Sequence, residues 1–269
     1  QIIQQEKPQI VVHLAAESHV TRSEKEADVF FRTNVEGTRL MLEGALAAGV
    51  ERFLHISTDE VYGPILEGAF REEDKKPGDG QASSPYAKSK ARAEDLVASY
   101  AERIPIIVAR PTNAFGPYQL PEKAFARWVT RALRGAPLLV WGDGLYVRQW
   151  LYAQDFAEAI GLLAEKGEPG QIYNVGPQHD PEITNLELAN WVGRYLGIPD
   201  GRVLLTRYDR PDHDRRYAVN STKIREIGWK PRDVWRQFAE TIEWYRNHPE
   251  WWKPLVPVAE SIYADSPQL

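Results

Sequence analysis

Short apolar runs rich in β-branched residues alternate along this chain with longer amphipathic segments, and few architectures accommodate that order. Ile10-Val11-Val12-His13-Leu14, Arg52-Phe53-Leu54-His55-Ile56-Ser57 and the stretch from Pro105 to Arg110 read as strands. Between the first two, a helical pattern through Val35, Leu40, Met41 and Ala45 stops at Gly49, a residue suited to the position just past a helix end. Pro85 to Tyr100 is helical, whereas Glu67 to Ser84, rich in Gly, Pro, Asp and Lys, reads as a loop. Strands that are apolar nearly throughout, with helices between them, argue for a parallel sheet covered on both faces. The predicted fold class is α/β, a doubly wound parallel sheet with a smaller α/β domain.

The texture changes after Pro117, where Trp, Pro and short mixed segments dominate. Leu138-Leu139-Val140-Trp141 and Arg202-Val203-Leu204-Leu205 look like strands, and Thr184–Tyr195 and Arg232–Tyr245 look helical. The sequence therefore predicts a first domain over 1–116, with 150–176 returning to it because the strand Ile172–Val175 again precedes a Gly. The second domain is expected over 117–149 and 177–269. Five of the nine Trp lie after Lys223, a distribution that suits core and terminal packing.

Composition removes several function classes. Lys and Arg total 33 against 38 Asp and Glu, a formal charge of −5, so nucleic acid and anionic membrane are not expected partners. No apolar run reaches the length of a membrane span. Cys is 0, which leaves no disulfide, thiolate metal site or thiol nucleophile. A reducing cytoplasm fits. The six His are scattered without a His-x-x-x-His pair, and no metal site is expected.

Ligands of covered parallel sheets bind at the carboxyl ends of the strands. Polar residues stand there: Glu17-Ser18-His19 after the first run, Thr58-Asp59-Glu60 after the second, Thr112-Asn113 after the third. Tyr86 and Lys90 are four apart on a predicted helix and share one face. An ammonium near a phenol lowers the phenol's pKa and would make Tyr86 a usable base. Alone, such a pair is common on solvated helix faces. Asp59 and Glu60 could divide acid and base work; equally, an isolated Asp-Glu can cap a turn and face solvent.

Together these residues carry a resemblance. His13-Leu14-Ala15-Ala16-Glu17-Ser18-His19-Val20, Asn34-Val35-Glu36-Gly37-Thr38, Ser57-Thr58-Asp59-Glu60-Val61-Tyr62-Gly63 and Ser84-Pro85-Tyr86-Ala87-Lys88-Ser89-Lys90 are its main pieces. Arg110-Pro111-Thr112-Asn113, Arg148-Gln149-Trp150-Leu151-Tyr152, Tyr173-Asn174-Val175-Gly176, Thr184-Asn185-Leu186 and Arg210-Pro211-Asp212-His213 continue it. The chain resembles the extended short-chain dehydrogenase/reductases, and among them the dTDP-glucose 4,6-dehydratases, from the first strand to about Tyr245.

The resemblance implies a Rossmann-like NAD-binding domain, a nucleotide-sugar-binding domain, and a lyase that borrows a hydride and returns it. The implied catalytic residues are Thr58, Asp59, Glu60, Tyr86 and Lys90. Tyr86, activated by Lys90, would deprotonate the sugar 4-hydroxyl while NAD+ accepts hydride from C4, with Thr58 bonding the 4-oxygen. Glu60 would take the C5 proton, Asp59 would protonate the departing 6-hydroxyl, and hydride would return to C6. Leu14, Ala15, Ala16, Ser57, Tyr86 and Lys90 are implied at the cofactor. Ser18, His19, Asn113, Arg148, Asn185, Arg210 and His213 are implied at the nucleotide sugar, with Glu122 and Lys123 nearby. A homodimer built on the helices near Val29–Ala48 and Pro85–Tyr100 is implied as well.

The chain departs from that pattern in places. No Gly-x-Gly-x-x-Gly or Gly-x-x-Gly-x-x-Gly occurs in the 269 residues, and the chain does not begin with Met. The expectation is a piece of a longer protein, its N-terminal part missing: two strands with their helices, roughly sixty to seventy residues. One sheet edge should then be unpaired. Asp212 stands where Gly is usual, Gln149 and Thr21 where Asp is, and Ala114-Phe115 where Asn-Tyr is. Two other readings stay open: a related epimerase or decarboxylase, disfavoured by Asp59, and a non-catalytic nucleotide-sugar-binding fragment.

Overall fold

The computed structural model describes residues 2–74, 84–207 and 214–263. In chain order the first part forms α1 (Ile2–Glu6), β1 (Ile10–His13), α2 (Val20–Lys25), α3 (Ala27–Phe31), a π turn (Arg32–Glu36), α4 (Gly37–Ala48) and β2 (Arg52–Ile56). A 3-10 turn (Asp59–Tyr62), α5 (Pro85–Ala98) and β3 (Ile106–Pro111) follow. Next come β4 (Asn113–Phe115), α6 (Ala124–Leu133), β5 (Leu138–Trp141), β6 (Trp150–Tyr152), α7 (Ala153–Lys166) and β7 (Ile172–Val175). The chain ends with α8 (Asn185–Tyr195), β8 (Val203–Thr206), α9 (Thr222–Glu226), α10 (Val234–Asn247), α11 (Pro249–Trp252) and α12 (Val256–Ser261).

Two compact units result. The first comprises Gln1–Thr112, Phe156–Gln178 and Tyr217–Lys230. Its four strands run parallel in the order β1-β2-β3-β7, with β1 and β7 at the edges. Leu42 and Ala45 of α4 and Val97 of α5 pack with Val11, Phe53, Ile106 and Val108 of the strands, all buried. Such burial, at about 25 cal/mol per Å² of apolar surface, is the main stabilising contribution. Gly49 takes φ +66° and closes α4. The helical stretch expected from Val29 is broken: residues Arg32–Glu36 form a π turn before α4 begins.

The second unit comprises Asn113–Asp155, His179–Arg216 and Pro231–Leu269. It holds two parallel strand pairs, β4 with β6 and β5 with β8. An aromatic core of Phe115, Phe125, Trp128, Trp150, Phe238 and Tyr245 fills it.

This division differs from the one read off the sequence in four places, the smallest being Pro177-Gln178, which stay with the first unit. The break falls after Thr112 instead of Gly116, because Asn113 already opens a strand that pairs with Trp150. For the same reason residues 150–155 belong to the second unit. Tyr217–Lys230, expected in the second, belongs to the first: Val219 bridges Phe70, and the Asn220 carbonyl accepts from Asn174 Nδ2 at 3.3 Å. One isolated bridge leaves no periodic trace in a sequence. Among the described residues no helix is long and apolar enough to cross a membrane, and no group of three His, Asp or Glu is placed to hold a metal ion.

Candidate active site

The 3-10 turn after β2 and the first turns of α5 carry the candidate catalytic residues. At the end of β2, Thr58 caps the 3-10 turn, its Oγ1 accepting from the Glu60 amide at 3.3 Å. Asp59 and Glu60 occupy that turn's first positions, where carboxylates suit the exposed amides. Gly63, at φ +78° and ψ −170°, ends it in a conformation that side chains rarely adopt. On α5, Ser84 caps the helix by accepting from Ala87 N at 3.1 Å, and Pro85 occupies the first turn. Tyr86 and Lys90 follow one turn apart, both buried.

The structure brings these five residues together. Thr58 Oγ1 donates to Asp59 Oδ1 at 3.2 Å and is also hydrogen-bonded to the Tyr86 phenol. Glu60 and Asp59 are both close enough to Tyr86 to act on its charge. Lys90 Nζ donates to the Ile56 carbonyl at 2.7 Å, fastening α5 to the end of β2. Phe30 meets the Tyr86 ring edge-on at 6.4 Å.

The electrostatics correct one expectation. Burial pushes the Tyr86 phenol above its ordinary value, the Glu60 and Asp59 carboxylates add to the rise, and only the Thr58 hydrogen bond opposes it. Lys90 itself is pulled down to about 8 by burial, with Glu94 opposing. Burial first, and then the Lys90 charge, hold His13 down to about 4, so it is neutral. His13 Nε2 pairs with Thr38 Oγ1 at 3.0 Å.

The turn after β1 is held by a residue that spacing does not single out. Asn34, buried in the π turn, accepts from Glu17 N at 2.9 Å and donates to Glu17 O at 3.0 Å and to Ser89 Oγ at 2.8 Å. It thereby fixes the segment containing Leu14, Ala15 and Ala16; Leu14 and Ala15 are exposed there and Ala16 half-buried. Ser18 is exposed, while His19 is buried and caps α2, its Nδ1 accepting from Arg22 N at 3.3 Å. Ser57 Oγ and Thr112 Oγ1, just past β2 and β3, are buried and lack a hydrogen-bond partner among the described residues. Two such hydroxyls beyond adjacent strands suit a polar ligand, since leaving them unpaired costs free energy.

The remaining expected positions belong to the second unit. Asn113 and Asn185 each present a buried Oδ1 without a partner among the described residues. Asn185 opens α8 behind Thr184, which forms a capping box with Glu187. Arg148 is buried, its Nη2 donating to Asp214 O at 2.8 Å and its Nη1 to Val147 O at 2.7 Å. It is thus fixed against main-chain carbonyls. Arg210 and His213 lie outside the described residues. Glu122 is buried, with the Tyr263 hydroxyl donating to its carbonyl at 2.6 Å.

Sequence reasoning missed a buried network beneath the site. Arg110 of β3 donates to both Glu94 oxygens, at 3.0 and 2.6 Å, and to the Tyr62 hydroxyl at 2.6 Å. A signal existed: Glu94 is four residues past Lys90, and Tyr62, Arg110 and Asn174 all fall inside the motifs already quoted.

The chain is similar to known proteins over most of its length. The model of the NAD dependent epimerase/dehydratase family matches residues 1–176. A dTDP-glucose 4,6-dehydratase of Streptomyces griseus is 41% identical over 251 residues, covering 92% of this chain and 74% of the relative. The mouse dTDP-D-glucose 4,6-dehydratase is 38% identical over 268 residues, covering 97% of this chain and 74% of its own length. A dTDP-glucose 4,6-dehydratase from Streptomyces venezuelae, solved with NAD bound, superposes with a TM-score of 0.88 at 39% identity over 94% of this chain and 79% of that one.

Proposed function

This chain belongs to the NAD dependent epimerase/dehydratase family, and on that premise we propose that it is a nucleotide-sugar 4,6-dehydratase acting on dTDP-glucose. The observation that carries the reading is the hub at Thr58, bonded to both Tyr86 and Asp59, with Glu60 on the same turn. An elimination needs an acid and a base at neighbouring sugar atoms, and a redox-assisted one also needs a base at the hydroxyl to be oxidised. This cluster supplies all three.

When bound, NAD supplies a reversible hydride acceptor, which leaves the overall reaction without net oxidation. Leu14, Ala15, Ala16, Ser57, Tyr86 and Lys90 would hold it, and the Ser57 hydroxyl, buried without a partner among the described residues, fits a polar ligand there. Tyr86 takes the 4-hydroxyl proton while Thr58 holds the 4-oxygen, which readies C4 to become the ketone when the bound acceptor takes its hydride. The ketone acidifies C5–H, and Glu60 accepts that proton. Asp59 protonates the departing 6-hydroxyl, so one water leaves. Glu60 returns its proton to C5 as C6 is reduced, and the 4-keto-6-deoxy sugar nucleotide results. Lys90, cationic below about pH 8, holds α5 at the site and supplies positive charge.

Ser18, His19, Asn113, Arg148, Asn185, Arg210 and His213 bind the sugar nucleotide, the guanidinium groups suiting its diphosphate. The reading also carries a cytoplasmic enzyme and a homodimer through α4 and α5; Leu40, 60% exposed on α4, supports the latter. Turnover of dTDP-glucose without added reductant, giving a product lighter by one water, tests the function. A C4 epimer of unchanged mass, or carbon dioxide released from a UDP-glucuronate, would replace it with the epimerase or decarboxylase reading. Sedimentation of the protein as a monomer at micromolar concentration would remove the dimer.

A further inference from the structure

Tyr86, Lys90 and Glu94 form one buried stripe along α5, spaced one turn apart. Arg110 faces Glu94 from β3, where it is the direct partner of Asn174 in the β3–β7 register. Its guanidinium divides its donors in two directions. Nε and Nη2 go to the two Glu94 oxygens, and Nη1 goes to the Tyr62 hydroxyl, whose ring lies 4.6 Å below the guanidinium. Tyr62 is the last residue of the 3-10 turn that bears Asp59 and Glu60. Its hydroxyl in turn donates to Asn174 Oδ1 at 2.9 Å, and its ring stacks on Phe70 at 4.8 Å.

We propose that Arg110, acting with Glu94 and Tyr62, is a positioning residue that ties the helix of Tyr86 and Lys90 to the turn of Asp59 and Glu60. The proposal rests on the dehydratase reading for its consequence in rate. Both charges of the pair are buried, with side chains only 3% and 4% exposed. Burying two charges is an inefficient way to gain stability, and apolar residues of similar volume often serve as well or better. What apolar residues cannot do is hold two elements in fixed relative orientation through a planar three-way donor. The reaction needs that orientation, since Tyr86 works at C4 while Asp59 and Glu60 work at C6 and C5 of one sugar. A displacement near 1 Å between such groups costs about a hundredfold in rate.

The test uses the full-length protein with Glu94→Leu plus Arg110→Met, which replaces both charges by apolar residues of similar volume, and separately Tyr62→Phe, which keeps the ion pair but cuts the arm to the turn. The double variant is expected to unfold at or above the wild-type temperature, yet to lose roughly ten- to a hundredfold in kcat with KM for dTDP-glucose nearly unchanged. In Tyr62→Phe, water loss slows while the single-turnover oxidation at C4, which depends on Tyr86, keeps its rate. Hydrogen exchange of the 59–63 and 85–94 amides reads the tie without reference to activity, and both segments lose protection in the double variant. Unchanged protection overturns the proposal, and so does loosened protection with wild-type kcat. A wild-type protein that binds dTDP-glucose but releases no water overturns the dehydratase reading instead, and the exchange data still decide the tie.

Discussion

Replacing Lys90 by Met should make the protein more stable and inactive at once, and the size of the gain follows from the site. Lys90 is 3% exposed and pulled from an ordinary 10.5 to about 8. At about 1.4 kcal/mol per unit, its charged form costs the fold about 3 kcal/mol relative to the neutral form. Part of the gain is lost with the 2.7 Å bond to the Ile56 carbonyl, whose orphaning costs about 1–2 kcal/mol. A net gain of about 1–2 kcal/mol remains at pH 7. The pH dependence is more diagnostic. Because the folded pKa is below the unfolded one, the unfolded chain binds more protons between pH 8 and 10.5, so wild-type stability rises with pH across that window. Lys90→Met lacks this rise. Urea unfolding of both proteins should show the variant's advantage falling by about 2 kcal/mol between pH 7 and 9.5. A stability difference independent of pH would refute the buried-charge argument, and retained turnover would remove Lys90 from the reaction.

Other consequences follow from the same geometry. Asp59→Asn should slow water loss by about two to four orders of magnitude while C4 oxidation survives; equal loss of both steps, seen in single-turnover kinetics, would contradict its place as the acid. Glu60→Gln removes a carboxylate that raises the Tyr86 phenol, so phenolate absorbance in an ultraviolet titration should develop at lower pH than in the wild type. His13, held down to about 4 by burial and by Lys90, binds fewer protons folded than unfolded between pH 4 and 6.5. Stability should therefore fall as pH drops through that window, and His13→Gln should flatten the fall in denaturation curves at pH 4.5 and 7.

Strand positions were legible because the covered parallel sheet makes them apolar almost end to end. β1, β2 and β3 lie within a residue of the expected runs, and Gly49 closes α4 as its position suggested. The catalytic cluster was legible only through its combination of motifs, since neither Asp59-Glu60 nor Tyr86–Lys90 is informative alone. Three features escaped for physical reasons. The π turn at Arg32–Glu36 preserves helical composition, so nothing in the periodicity announces that Asn34 is turned inward to hold Glu17. Arg110 is charged, which at a strand end reads as solvent-facing, yet it is buried because Glu94 and Tyr62 wait for it across three elements. Spacing predicted that Lys90 would lower the Tyr86 phenol, but spacing is blind to the burial and to the Asp59 and Glu60 carboxylates that raise it.

The central claim is that one cluster oxidises C4, eliminates water across C5 and C6, and restores the hydride to the same sugar. Incubating the full-length protein with NAD and dTDP-glucose deuterated at C4, then locating the label by NMR, tests it most directly. The account predicts a 4-keto-6-deoxy product carrying the deuterium in its C6 methyl group. Deuterium still at C4 of an epimer that has kept its 6-hydroxyl would contradict it.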